Sequence, residues 1–229
     1  YSSDLFLRTL AGENTPTKPI WIMRQAGRYL DEYRAVRVKY PAFIDFCRTP
    51  EAACQVTLQP LDRFELDAAI LFSDILTLIP AMGLPLEFIT GRGPVVETPV
   101  RTMDHITNLK EADAEKDLDY VYKAVRLISS KLDGKIPLMG FAGGPLTVAS
   151  YMIEGGSSKE LAQVKQLAFG SPDVYHALME KITTLTVDYL LLQADAGADA
   201  LVVMDSWAGF FSNEDYRELI LPYTQRVLQ

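Results

Sequence analysis

The chain is poor in the side chains that most often anchor metals, redox centres and covalent links. It holds two cysteines, Cys47 and Cys54, and two histidines, His105 and His176, in 229 residues. The cysteines lie seven positions apart in a predicted helix, about 10 Å along its axis, which is too far for a disulfide. Two cysteines alone do not make a zinc site, so both are expected as buried free thiols in a reducing compartment. The histidines fall in polar helical or loop contexts that suit surface positions, and no Ser-His-Asp set can be assembled from them. No apolar run approaches the ~20 residues of a membrane span, and no charged-then-apolar signal opens the chain. The cytoplasm is therefore the expected location. The glycines at 140, 143 and 144 lack the Gly-x-Gly-x-x-Gly spacing and the later acidic residue of a nucleotide site. Internal repeats, low-complexity segments and a linker are also missing, so a single domain over 1–229 is expected.

Basic residues are outnumbered: Lys plus Arg total 22 against 30 Asp plus Glu, a net charge of −8. That balance argues against nucleic acid or an anionic membrane as partner. Apolar residues make up 48% of the chain, enough for a sizeable core. Against the acidic background, residues 20–40 carry Arg24, Arg28, Arg34, Arg37 and Lys39 but only Asp31 and Glu32, a local +3. Such an island suits an anionic small molecule, and equally a solvated helix face. Within it, Ile20–Met23 reads as a short strand and Gln25–Lys39 as a helix. A helix there would put Arg24 and Arg28 on one face, one turn apart. Guanidinium groups bind carboxylates bidentately and stay charged, and Gly27 between them would let a large ligand approach the backbone. The plainer alternative is an amphipathic helix whose arginines pair with Asp31 and Glu32.

The rest of the chain alternates. Helices are predicted at Ser3–Leu10, Ala42–Cys47, from Pro50 to about Phe64, and Leu118–Leu132, the last with Leu118, Val121, Tyr122, Val125 and Ile128 on one face. Further helices are predicted at Pro145–Ile153, Lys159–Phe169, Asp173–Gly197 and Asn213–Gln229. Between them, Leu66–Leu71, Ile136–Phe141 and Ala200–Met204 read as buried parallel strands, and Leu86–Ile89 as part of a small hairpin. Strand, helices, strand, helices means a parallel sheet with crossovers. A (β/α) barrel and an open doubly wound sheet give the same local pattern. In either, the segments after the strands build the site, and these carry Arg24, Asp74, Gly143-Gly144 and Asp205-Ser206.

Those segments are where a resemblance becomes specific. Met-Arg-Gln-Ala-Gly-Arg-Tyr-Leu, Phe-Ser-Asp-Ile-Leu, Gly-Phe-Ala-Gly-Gly-Pro followed by Tyr-Met-Ile-Glu-Gly-Gly, and Asp-Ser-Trp-Ala-Gly together resemble the uroporphyrinogen decarboxylase family, in its order and spacing. Leu146 stands where the family usually has tryptophan, and Asp31 replaces a common proline. Family members continue well beyond residue 229, and a later motif supplies a substrate-binding histidine. The resemblance implies a (β/α)8 TIM barrel, of which this chain would hold about the first four β/α units. It would be one decarboxylase domain truncated on its C-terminal side, with little activity alone.

The resemblance further implies loss of carbon dioxide from the four acetate arms of uroporphyrinogen, a cyclic tetrapyrrole, to give coproporphyrinogen. It implies no metal or organic cofactor, and a homodimer when full length. By family position, Asp74 is expected near the pyrrole N–H groups, stabilising a protonated ring, with Arg24 as its catalytic companion. Arg24 and Arg28 would grip carboxylates, helped by Gln25, Ala26 and Gly27. Tyr151 and Ser206 would meet carboxylate arms. Bare strand-end positions also suit structural duties: a helix cap or ion pair for Asp74, a core position for Tyr151, a turn for Ser206. Two other functions fit less well, a related barrel methyltransferase of the cobalamin or zinc type and a non-catalytic porphyrin-binding fragment.

Overall fold

The computed structural model describes residues 5–229. In chain order the elements are α1 (Leu5–Leu10), α2 (Asp31–Arg37), α3 (Phe43–Cys47), α4 (Pro50–Arg63), β1 (Ala69–Ile70), α5 (Leu78–Ala81), β2 (Leu86–Ile89), β3 (Gly93–Val96), α6 (Met103–Thr107), α7 (Ala114–Asp117), α8 (Asp119–Leu132), β4 (Leu138–Gly143), α9 (Pro145–Glu154), α10 (Ala162–Gly170), α11 (Pro172–Asp195), β5 (Ala200–Met204), α12 (Asn213–Leu219) and α13 (Leu221–Leu228). The predicted first helix is met over Leu5–Leu10, while Ser3 and Asp4 lie outside the described residues. The chain forms two compact units. One holds the chain up to Asp74, Asp119–Phe141 and Leu190–Val202; the other holds Ile75–Leu118, Ala142–Tyr189 and Val203–Gln229.

The first unit is built on a sheet ordered β1-β4-β5, with β1 parallel to β4 through Ala69↔Leu138 and Ile70↔Met139. All six residues of β4 are buried, as a central strand covered on both faces requires. The predicted strand at Ile136–Phe141 is shifted two residues later. Pro137 has no N–H to give a ladder and contributes only its carbonyl, which accepts from Ala69 N–H. Helix α4 packs along α8. The face predicted for α8 is buried throughout, with Val125 and Ile128 fully enclosed, and each such side chain contributes about 1.5–3 kcal/mol. Gln193 near the end of α11 holds β4 by both ends of its amide: Phe141 N–H donates to its Oε1 and its Nε2 donates to Phe141 O, each at 2.9 Å. A Cβ on Gly140 would lie 2.6 Å from that same Oε1, so any other residue there would displace the Gln193 amide. Cys47 closes α3 and Cys54 lies in α4. They are therefore in separate helices rather than one, and both are buried and free.

The predicted strand Ile20–Met23 does not form. Ile20, Ile22 and Met23 are more than half exposed, and the run is tied to one residue in place of a ladder. Ile20 N–H donates to the Asp67 carboxylate and Ile20 O accepts from Asp67 N–H. The helix predicted over Gln25–Lys39 is reduced to α2, because residues 23–30 form turns. Arg24 and Arg28 are thus on a loop and not on one helical face.

In the second unit β2 and β3 pair as the predicted hairpin, with Ile89 opposite Gly93. Its far end docks on α9, where Val96 N–H donates to Gly155 O and Val100 N–H to Met152 O. Gly155 closes α9 at φ +82°, the left-handed conformation that favours glycine at helix ends. His176, expected at the surface, is half-buried on α11 and lies 2.7 Å from the Tyr223 hydroxyl, while His105 is exposed as expected. The helix predicted from Asn213 to Gln229 breaks at Ile220. Pro222 lacks an N–H and its ring clashes with the preceding turn, so the chain restarts as α13. Among the described residues no helix is long and apolar enough to cross a membrane.

Candidate active site

The candidate residues fall into two groups, one in each unit. In the first unit, Arg24 to Arg28 make a loop folded on its own polar groups. Gln25 is 1% exposed. Its Oε1 accepts from Ile22 N–H and its Nε2 donates to Ala68 O, both at 3.4 Å. Ala68 immediately precedes β1, so a buried amide fixes the loop to the strand that leads to Asp74. Tyr29 closes the turn by donating its hydroxyl to Gln25 O. Its ring lies over Gly27, where an added Cβ would come within 3.3 Å of it. These bonds replace the helical ladder predicted for the segment. Ala26 packs against a cluster of Leu30, Tyr33, Val36, Phe46, Ala52 and Val56.

Arg24 and Arg28 are exposed, and among the described residues neither has an ion pair. The plainer expectation, that they pair with Asp31 and Glu32, is not met. Asp31 pairs with Arg34, and Glu32 takes both Nε and Nη2 of Arg63 at 2.7 and 2.9 Å. The two arginines are left facing solvent, which a carboxylate ligand can use.

Asp74 follows β1 and is half-buried. The segment before it is held firmly. Phe72 N–H donates to the buried Thr57 hydroxyl at 3.0 Å, and the Phe72 ring packs on Phe46, Tyr33 and Phe43 with centroids 4.8, 5.8 and 6.0 Å away. The carboxylate acts on its neighbours. Burial first, and then Asp74, pushes the Cys47 thiol well above its ordinary range, with Arg37 pulling back. Burial pushes the Tyr120 hydroxyl up to about 12, with Asp74 adding a little and Arg48 opposing. Arg28 in turn acts on Tyr33, whose hydroxyl also feels Cys47.

In the second unit Tyr151 on α9 and Ser206 after β5 are linked through Thr147, a residue that sequence reasoning passed over. Thr147, fully buried on α9, donates its hydroxyl to Asp205 Oδ1 at 2.9 Å and accepts from Ser206 N–H at 2.8 Å. Trp207 N–H also donates to Asp205 Oδ1, at 3.3 Å. Tyr151, one turn beyond Thr147 on the same helix, packs edge-on against the Trp207 ring at 5.9 Å. Ser206 itself is exposed. The available sequence signal was the four-residue step from Thr147 to Tyr151, which puts both on one helical face. The groove lined by Met82, Lys110, Glu111 and Lys181 carries none of these residues, and its lysines pair with Asp117 and Glu111. Among the described residues no cluster of three His, Cys, Asp or Glu could hold a metal ion.

A parallel sheet with crossover helices, and with acidic and hydroxyl groups in the segments after its strands, marks an α/β protein built like part of a (β/α) barrel or of a doubly wound sheet. A solved structure described as a methyltransferase from Methanosarcina mazei superposes on 98% of the chain with a TM-score of 0.75, covering 65% of that protein; at 20% identity the likeness concerns the fold. The family model described as Uroporphyrinogen decarboxylase (URO-D) matches residues 1–229. Curated relatives named uroporphyrinogen decarboxylase include those of Nitrosococcus oceani, 52% identical over 99% of the chain, and Xylella fastidiosa, 52% identical over 98%. That of Acinetobacter baumannii is 50% identical over 99% of the chain. The chain belongs to the uroporphyrinogen decarboxylase family and carries an incomplete (β/α)8 barrel. It spans about 64% of the length of the first two relatives and 63% of the third.

Proposed function

We propose that the protein is a uroporphyrinogen decarboxylase, removing carbon dioxide from the four acetate arms of uroporphyrinogen III to give coproporphyrinogen III. Residues 1–229 belong to one such domain, which acts without a cofactor, in the cytoplasm, as a homodimer at full length. The observation that carries the reading is the Arg24–Arg28 loop. Two exposed guanidinium groups, paired with no carboxylate among the described residues, are tied by Gln25 to the strand that precedes Asp74. Relatives about 50% identical bear the same activity in their names.

The chemistry follows from the substrate. Protonating a pyrrole carbon makes a cationic ring that serves as its own electron sink. The bond between the acetate methylene and its carboxylate then breaks, the electron pair flows into the ring and carbon dioxide leaves. A second proton converts the methylene to a methyl group, and loss of the first proton from the ring carbon restores the pyrrole. Asp74, ionised, accepts the pyrrole N–H groups and stabilises the cation; a preorganised charge of this kind is typically a large catalytic contribution. Arg24 and Arg28 hold carboxylate arms, with Gln25, Ala26 and Gly27 shaping the loop. Arginine, with a free pKa above ~12, is a poor acid near neutrality. Arg24 therefore stabilises charge, and water or a substrate carboxylic acid supplies the proton. Tyr151 and Ser206 present hydroxyls to further arms.

Methyl transfer is not favoured: the methyltransferase likeness is one of fold at 20% identity. The test is anaerobic incubation of the full-length protein with uroporphyrinogen, following products by carboxyl count. Seven-, six-, five- and four-carboxyl porphyrinogens are expected in turn. Tight binding of coproporphyrinogen with no carbon dioxide release would replace the enzyme with a binding protein.

A further inference from the structure

Helix α9 and the turn after β5 share one buried hydroxyl. Thr147 is 0% exposed and sits in the first turn of α9, where its Oγ1 both donates to Asp205 Oδ1 and accepts from Ser206 N–H. Asp205 uses the same Oδ1 to receive Trp207 N–H, and Gly144 N–H at the start of α9 donates to Met204 O at 2.8 Å. There is little room for another arrangement, because a Cβ on Gly144 would come within 3.2 Å of Asp205 Cβ. The Trp207 side chain has no polar anchor of its own: its indole N–H is enclosed without an acceptor among the described residues. Its ring is placed by packing on Tyr151 and Phe210, at 5.9 and 5.4 Å, and by the backbone bond to Asp205.

We infer that Thr147 is a positioning residue: its buried hydroxyl, acting with Asp205, sets the turn that presents Ser206 and Trp207 beside Tyr151. The inference rests on the reading of Tyr151 and Ser206 as carboxylate-binding groups and adds the latch that holds them in register. A hydroxyl that accepts one bond and donates another fixes both partners, and valine at this site keeps the shape while losing both bonds. The loss falls on the binding of a substrate arm, ahead of the bond-breaking step, so it is read in KM more than in kcat.

The test uses the full-length protein labelled with 5-fluorotryptophan, with the Trp207 resonance assigned by Trp207→Phe. Thr147→Val is expected to shift or broaden that resonance and to raise KM for uroporphyrinogen roughly tenfold, with kcat within about twofold. Thr147→Ser, which keeps the hydroxyl, is expected to restore both. If Thr147→Val does not fold, Asp205→Ala removes the shared acceptor and is expected to give the same pair of changes. An unmoved resonance with unchanged KM overturns the inference. So does a moved resonance with unchanged KM, which would make the latch purely structural, or a raised KM with an unmoved resonance, which would put Thr147 in contact with substrate. Failure of the wild-type protein to decarboxylate would sink the proposed function instead, while the Trp207 resonance would still judge the latch.

Discussion

The roles proposed for Asp74 and Arg28 differ in kind, and substitutions separate them. Arg28→Lys keeps the positive charge but loses the bidentate geometry, so KM should rise about tenfold with a smaller change in kcat; steady-state kinetics on the full-length enzyme checks this. Cys47 offers a pH test. Its thiol is raised by burial and by Asp74, so in the folded state it stays protonated while the unfolded chain ionises. Between the ordinary thiol value and the raised one the folded state binds more protons, and stability therefore falls as pH rises. Tyr120, raised to about 12 by burial, adds to the same alkaline loss at higher pH. Thermal melts should show Tm dropping above about pH 9, and Cys47→Ala should flatten the first part of that drop. An unchanged slope in the variant would mean that Cys47 is not the group responsible.

Single elements carry the supports of the site. Phe72 precedes Asp74 by two residues and touches three other rings. Phe72→Ala should cost about 3–4 kcal/mol of stability and loosen the Asp74 backbone, read by denaturant unfolding together with kcat. Gln193→Leu leaves the Phe141 N–H and carbonyl without partners in a buried strand and should cost about 2–4 kcal/mol. Most elements were legible in the sequence because their signals are local. The apolar spacing of α8, Pro145 at the start of α9, Gly155 at its end and the alternation of helices with apolar runs all act within a few residues. Two elements failed for identifiable reasons. Residues 20–23 have a strand's composition, but strands need ladder partners, and Asp67 supplies a single tether instead. Residues 25–30 have helical spacing, but the Gln25 amide captures Ile22 N–H and Ala68 O and holds a turn. The candidate residues were found through motifs. Thr147 and its bond to Asp205, 58 positions away, were invisible because that pairing exists only after folding.

At the scale of the whole molecule, a chain of net charge −8 is proposed to bind a substrate with eight carboxylates. Within these residues long-range attraction cannot come from the overall charge, and its source is the local excess of basic groups over residues 20–40. Salt screens such exposed groups. KM for uroporphyrinogen should therefore rise several-fold as ionic strength goes from about 0.02 to 0.5 M, with kcat nearly constant; a KM indifferent to salt would shift recognition to buried contacts. The account's most direct test is Asp74→Asn in the full-length enzyme, with anaerobic turnover of uroporphyrinogen measured by carboxyl count. Asparagine keeps the shape and one acceptor but removes the charge. The account predicts that kcat falls by at least about 100-fold while the melting temperature stays within a few degrees. A folded Asp74→Asn enzyme that turns over within a few-fold of wild type would contradict it.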